Sequence, residues 1–143
     1  MVKNLPDKWI RKAVYDAIND IVVDNETIPC YDSRVTGNPQ EKYTILSTQT
    51  NGVNKSNKCE YQWESSILVE VIVRERLTSN AGSRLSADNI MNNVKSQTNN
   101  LNLDILSNLE IVSQIQSFPN DIVEDTSSDI VYRKLMRIEF LIN

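Results

Sequence analysis

Apolar residues first recur at helical spacing. Trp9, Ile10, Ala13, Val14, Ala17, Ile18, Ile21 and Val22 fall on one stripe, which predicts an amphipathic helix over residues 8–22. Asn4 or Asp7 can cap its start, and Pro6 is tolerated in a first turn. Lys8, Arg11, Lys12, Asp16 and Asp20 take the outer face, so the helix is expected to lie on a sheet. Residues 24–26 read as a turn, and Ile28, Pro29, Cys30 and Tyr31 as a short strand that Pro29 places at an edge or a strand start. Residues 33–40, with Gly37 and Pro39, read as a loop. Residues 42–47 form the next strand, with Tyr43 and Ile45 on one face. Residues 49–58 are polar and contain the turn signal Asn51-Gly52, which predicts the tip of a hairpin projecting from the body.

Alternation with a period of two is strongest over residues 59–76. Trp63, Ile67, Val69, Val71 and Val73 point one way and suit a core. Leu68, Glu70, Ile72 and Arg74 point the other way, a mixed face covered by water in a monomer or by a neighbour in an oligomer. Asn80-Ala81-Gly82 predicts another turn. A second helix then runs from a Ser86 cap to about Asn99, with Leu85 and Ile90 as a hydrophobic staple and Ile90, Met91, Val94 and Thr98 on the inner face. Asn89, Asn92 and Asn93 are poor helix formers, so tertiary packing must hold this helix. Leu101, Leu103 and Leu106 make a short connection. Residues 110–118 alternate Ile111, Ser113 and Ile115 against Val112, Gln114 and Gln116 and read as a strand. Residues 119–129 read as an acid-rich loop, and residues 130–142 as a long final strand. The order predicts an α+β fold: a single domain over residues 1–143, with an antiparallel or mixed sheet of about four to five strands and two helices packed on one face.

Composition narrows the chemistry. A chain of 143 residues can bury a core without metal or disulfide staples. The net charge of −4 argues against a surface whose main task is gripping nucleic acid and does not exclude DNA passing nearby, since a channel for DNA is better lined with neutral or acidic groups. Cys30 and Cys59 sit in no spaced ligand set and are expected as buried reduced thiols, with a disulfide between them left open. The N-terminus lacks the apolar run of a signal peptide, and no stretch approaches the ~20 apolar residues of a membrane span. There is no histidine, which removes the commonest general base and metal ligand. Gly37, Gly52 and Gly82 are too scattered to cradle a phosphate, and no zinc spacing exists. Asp121, Glu124, Asp125 and Asp129 are the best candidates for a hard cation, but the obligatory glycine of a calcium loop is absent, so a solvated loop is expected. Trp9 and Trp63 lie on apolar stripes and read as core. Lys55, Lys58, Arg74, Arg76 and Arg84 are interleaved with Glu60, Glu64 and Glu75, a mixed solvated face. No catalytic, cofactor-binding or metal-binding residue is assigned, and the chain reads as a non-enzyme without cofactor.

The element order resembles the tail-terminator, or tail-completion, family of long-tailed bacteriophages over nearly the whole chain. The likeness lies in the opening helix (Trp9-Ile10-Arg11-Lys12-Ala13-Val14), the short strand ending Pro29-Cys30-Tyr31-Asp32 and the strand Lys42-Tyr43-Thr44-Ile45-Leu46. It continues through the long segment from Ile67 to Val73, the helix beginning near Ala87 and the two late strands. Residues 49–58 and the final strand are longer than that pattern, which leaves a related neck or adaptor ring open. The resemblance implies a homo-oligomeric ring, a hexamer or a dodecamer, at the head-proximal end of the tail. Such a ring ends tube growth and joins the tail tube protein to the head connector, with DNA passing through its lumen. It implies a place in the virion after assembly in the host cytoplasm, with no membrane role. The expected contact residues are Asn51, Asn54, Lys55, Asn57 and Lys58 of the polar loop and Glu70, Ile72, Arg74 and Arg76 of the long strand, while Asp121, Glu124, Asp125 and Asp129 face lumen or solvent. A ring needs a head-to-tail interface that closes. The alternatives are a monomeric adaptor binding one partner at its sheet edge and a small-ligand-binding α+β domain.

Overall fold

The computed structural model describes residues 5–37, 40–54, 62–76 and 84–143. The first helix, α1 (Asp7–Ile18), buries Ile10, Val14 and Ile18 as the stripe predicts. It ends four residues before the expected Val22. Ile21, Val22 and Val23 are a β-branched run, stiff in a helix and suited to a strand. They form β1 (Ile21–Val23), which turns back through Asp24 and Asn25, at φ 52° and 64°, into β2 (Glu26–Ile28). Two consecutive positive-φ residues of this type are the usual chemistry of a tight hairpin. The Asn19 side chain accepts the Cys30 N–H at 3.2 Å and ties the helix end to the sheet.

The main sheet holds β3 (Cys30–Asp32), β4 (Lys42–Asn54), β5 (Gln62–Arg76), β6 (Ile111–Ser117), β7 (Asp121–Asp125) and β8 (Asp129–Ile142). The spatial order is β3-β4-β5-β8-β6, and β7 also pairs with β8. Among the described residues only β3 and β4 are parallel; the other pairs are antiparallel. Two sequence expectations are corrected here. Asn51-Gly52 makes no turn: β4 continues through both and pairs Asn51 with Ser65 and Gly52 with Glu64. The acidic stretch is no loop: Asp121 to Asp125 pair with Lys134 to Ile130. In both places a long neighbouring strand supplies hydrogen-bond partners that local turn and polarity signals do not register.

The second helix, α2 (Leu85–Gln97), buries Ala87, Ile90, Met91 and Val94. Leu85 is 64% exposed and opens the helix instead of preceding its cap, and Ser86 is not the cap; that position falls to Arg84 without a side-chain cap bond. Both helices pack on the same sheet face, over Ile67, Val69, Val71, Met136 and Ile138, in one continuous core. A short 3-10 turn (Ile105–Ser107) leads into β6. The fold is α+β, with two helices on one face of a mixed sheet.

Candidate assembly surface

The sheet face away from the helices is the first place where a partner could sit. Glu70, Ile72, Arg74 and Arg76 all lie on it, as the alternation in β5 requires. Ile72 is only 4% exposed, which removes it as a free contact. Its register partners, Tyr43 on β4 and Arg133 on β8, flank it on the same face, and long side chains cover apolar neighbours with their stems. Arg133 lies 4.0 Å from Glu70 and 3.5 Å from Glu124, and Arg74 lies 4.0 Å from Asp129. Such cross-strand pairs contribute modestly to stability but occupy the charges. Arg76 is exposed.

The sheet edges differ from this face. The segment Ile111–Ser117 of β6 holds no charge, no proline and no glycine. A register irregularity between Ile111 and Ser113 puts Ile111 on the side of Gln114 and Gln116 and parts it from Ser113 and Ile115, with which the sequence alternation grouped it. Gln114 and Gln116 therefore turn inward, where they complete the end of α2. Gln114 donates to the Thr98 carbonyl, and Gln116 donates to Thr98 Oγ1 at 2.9 Å and to the Lys95 carbonyl at 3.2 Å. These bonds satisfy groups that a helix end leaves open. Ile115, read from the sequence on the same face as Ile111, is 61% exposed. Val112, Phe118, Ile122 and Val123, each at least 40% exposed, add further apolar surface along these outer strands. Edges of natural sheets are usually protected by charge, proline or a cover.

The opposite edge is covered only in part. β3 pairs with Thr44, Ile45 and Leu46 of β4, and among the described residues no strand covers β4 beyond them. Residues 47–54 of β4 carry no charge. Of the polar residues expected there, Asn51 is exposed and accepts a bond from Ser65 Oγ at 2.7 Å, and Asn54 ends the strand. Lys55, Asn57 and Lys58 lie outside the described residues.

The acids of β7 are exposed and partly paired. Asp121 meets Lys134 at 3.0 Å, and Lys134 also reaches Asp88 on α2 at 2.7 Å. Asp88 foremost, then Asp121, raises the Lys134 pKa above its ordinary value. Asp129 opens β8. Among the described residues no group of three or more His, Cys, Asp or Glu side chains could hold a metal ion. Cys30 is buried and unpaired, and burial pushes its thiol up to about 11, so it is a packing residue rather than a nucleophile. Cys59 lies outside the described residues. No helix among the described residues is long and apolar enough to cross a membrane.

Sequence reasoning placed its contacts on a polar loop and on the outer face of β5 and did not single out the apolar outer strand β6. The available signal was the charge-free run from Ile111 to Phe118, which is unusual for an outer strand.

No protein-family model and no curated protein matches this chain. Among solved structures it is similar to a chain in the virion of a native gene transfer agent particle. The TM-score is 0.62 at 15% identity, and the match covers 94% of this chain and 96% of the other. The two chains share a fold over nearly their whole length.

Proposed function

We propose that this chain is a non-enzymatic structural virion protein. It assembles into a ring, hexameric or dodecameric, at the head-proximal end of a phage tail or in the neck. The observation that carries this reading is the nearly end-to-end fold likeness to a virion chain. The surface supports it: the described residues offer two uncharged edge segments, residues 47–54 of β4 and the whole of β6. In this role the ring ends tube growth, with the tail tube protein on one side and the head connector on the other, and DNA passes through the lumen. A net charge of −4 suits a passage that must not hold phosphates. The exposed acids Asp121, Glu124 and Asp125 then face lumen or solvent.

Native mass spectrometry over a concentration series, followed by negative-stain imaging, tests the reading. A closed ring with a central hole is the expected species. A chain that stays monomeric throughout counts against self-assembly and favours a monomeric adaptor. The same exposed β6 edge would let such an adaptor accept one partner strand.

A further inference from the structure

We propose that β6 of one copy adds, antiparallel, to residues 47–54 of β4 in a second copy, so that the ring is a continuous sheet closed edge to edge. This rests on the ring reading above and names its interface.

Three features of the sheet point to it. The first is level. Following the registers across the sheet, Ser117 is in line with Arg137, Leu68 and Ser47. Ile111 is in line with Ile142, Trp63 and Val53. The whole of β6 therefore spans the rows that β4 leaves uncovered on the opposite edge. Two edges at one level join without a shift along the strands. A repeat without such a shift can close into a ring instead of climbing as a filament.

The second feature is polarity. β4, β5, β8 and β6 alternate in direction, so β6 runs opposite to β4. A neighbour placed beside β6 in the same orientation presents its β4 antiparallel to it, the more favourable ladder.

The third feature is the interruption. β6 and β7 leave Leu135 and Met136 of β8 uncovered. Those rows are in line with Ile45 and Leu46, where β3 lies outside β4. Two of the three β3 rows thus fall at the gap in the other edge, and the third, Cys30 beside Thr44, is in line through Val71 and Lys134 with Asp121 at the end of β7. Neither β6 nor residues 47–54 carries a charge to oppose the contact.

The test uses Ile115→Lys and Thr50→Lys in the full chain, since these positions share one row through Ser66 and Glu139. Each variant should keep the wild-type circular dichroism spectrum and lose the ring, with association weakened on the order of 30-fold or more. Ile115→Glu and Thr50→Glu replace a lysine variant that does not fold. An equimolar mixture of the two variants retains one intact β6 edge and one intact β4 edge, so native mass spectrometry should show a dimer and nothing larger. If either single variant still forms wild-type rings, the ring closes through another surface and this interface is wrong. If the mixture stays monomeric, the two edges do not meet and the inference also fails. A wild type that is monomeric at every concentration overturns the ring reading, and the interface with it.

Discussion

One half of the sheet carries charge at its outer strand and the other half does not, although the same two central strands run through both. Where β8 spans residues 130–134, its outer partner is β7, with Asp121, Glu124 and Asp125 exposed and Arg133 and Lys134 paired to the acids. Where β8 spans residues 137–142, its partner is β6, without a charge, and Ile115 stands in solvent. Edge protection is therefore local. β7 resists pairing with a foreign strand through charge, whereas β6 has no such device and is the segment on which association can build.

The largest single-site effect should separate burial from edge position. Ile138 is fully buried, and Ile138→Ala should cost about 2–5 kcal/mol in urea unfolding. Ile115→Ala, at a 61% exposed position, should cost about 0.5 kcal/mol or less in the monomer. Equal losses at the two sites in the monomer would mean that Ile115 is buried within the chain itself and that the contrast between the two halves is mistaken.

An intermediate effect should come from the inner face of β6. Gln114→Leu keeps the size but leaves the Thr98 carbonyl without its donor, at a cost of about 1–3 kcal/mol. Hydrogen exchange should show the loss at the end of α2 before it reaches the central strands. Uniform loss across the sheet would contradict the capping role.

A smaller effect should come from the pairing that holds β7. Lys134→Met removes the contacts to Asp88 and Asp121 and should cost about 1 kcal/mol or less. The pH dependence fixes the sign. The folded pKa of Lys134 is raised, so its stabilisation is fully present below the unfolded value of about 10.5 and disappears as pH rises through the folded value. The stability gap between wild type and variant should be constant from about pH 6 to 9 and close above the lysine range. A gap that widens with alkali would reverse this assignment. The smallest effect on stability, with a visible effect on solubility, should come from Glu124→Val with Asp125→Val. Light scattering should rise as the protected half of the edge becomes like the unprotected one.

The sequence made much of this architecture legible through repetition. The stripe of Ile10, Val14 and Ile18 and the alternation of Ile67, Val69, Val71 and Val73 each recur often enough to outweigh local ambiguity, and all seven are buried. Isolated signals were misleading. Asn51-Gly52 looks like a turn, yet β5 pairs with it residue by residue. Leu85 and Ile90 have staple spacing, yet Leu85 stays exposed. Ile72 has the alternation of an outer residue, yet its cross-strand neighbours bury it.

The candidate surface was less legible because it depends on register. By itself the sequence determined the fold class, the helix faces, the core side of β5 and a chemistry without histidine, since composition and periodicity are properties of the chain alone. Only the tertiary structure decided that β6 and residues 47–54 are opposite edges on shared rows. Only the irregularity near Ser113 decided that Gln114 faces α2 and Ile115 faces water. Strand order and register arise from pairing between distant segments, and one irregularity reverses every side chain beyond it, so the residues that meet a partner are settled in space rather than along the chain.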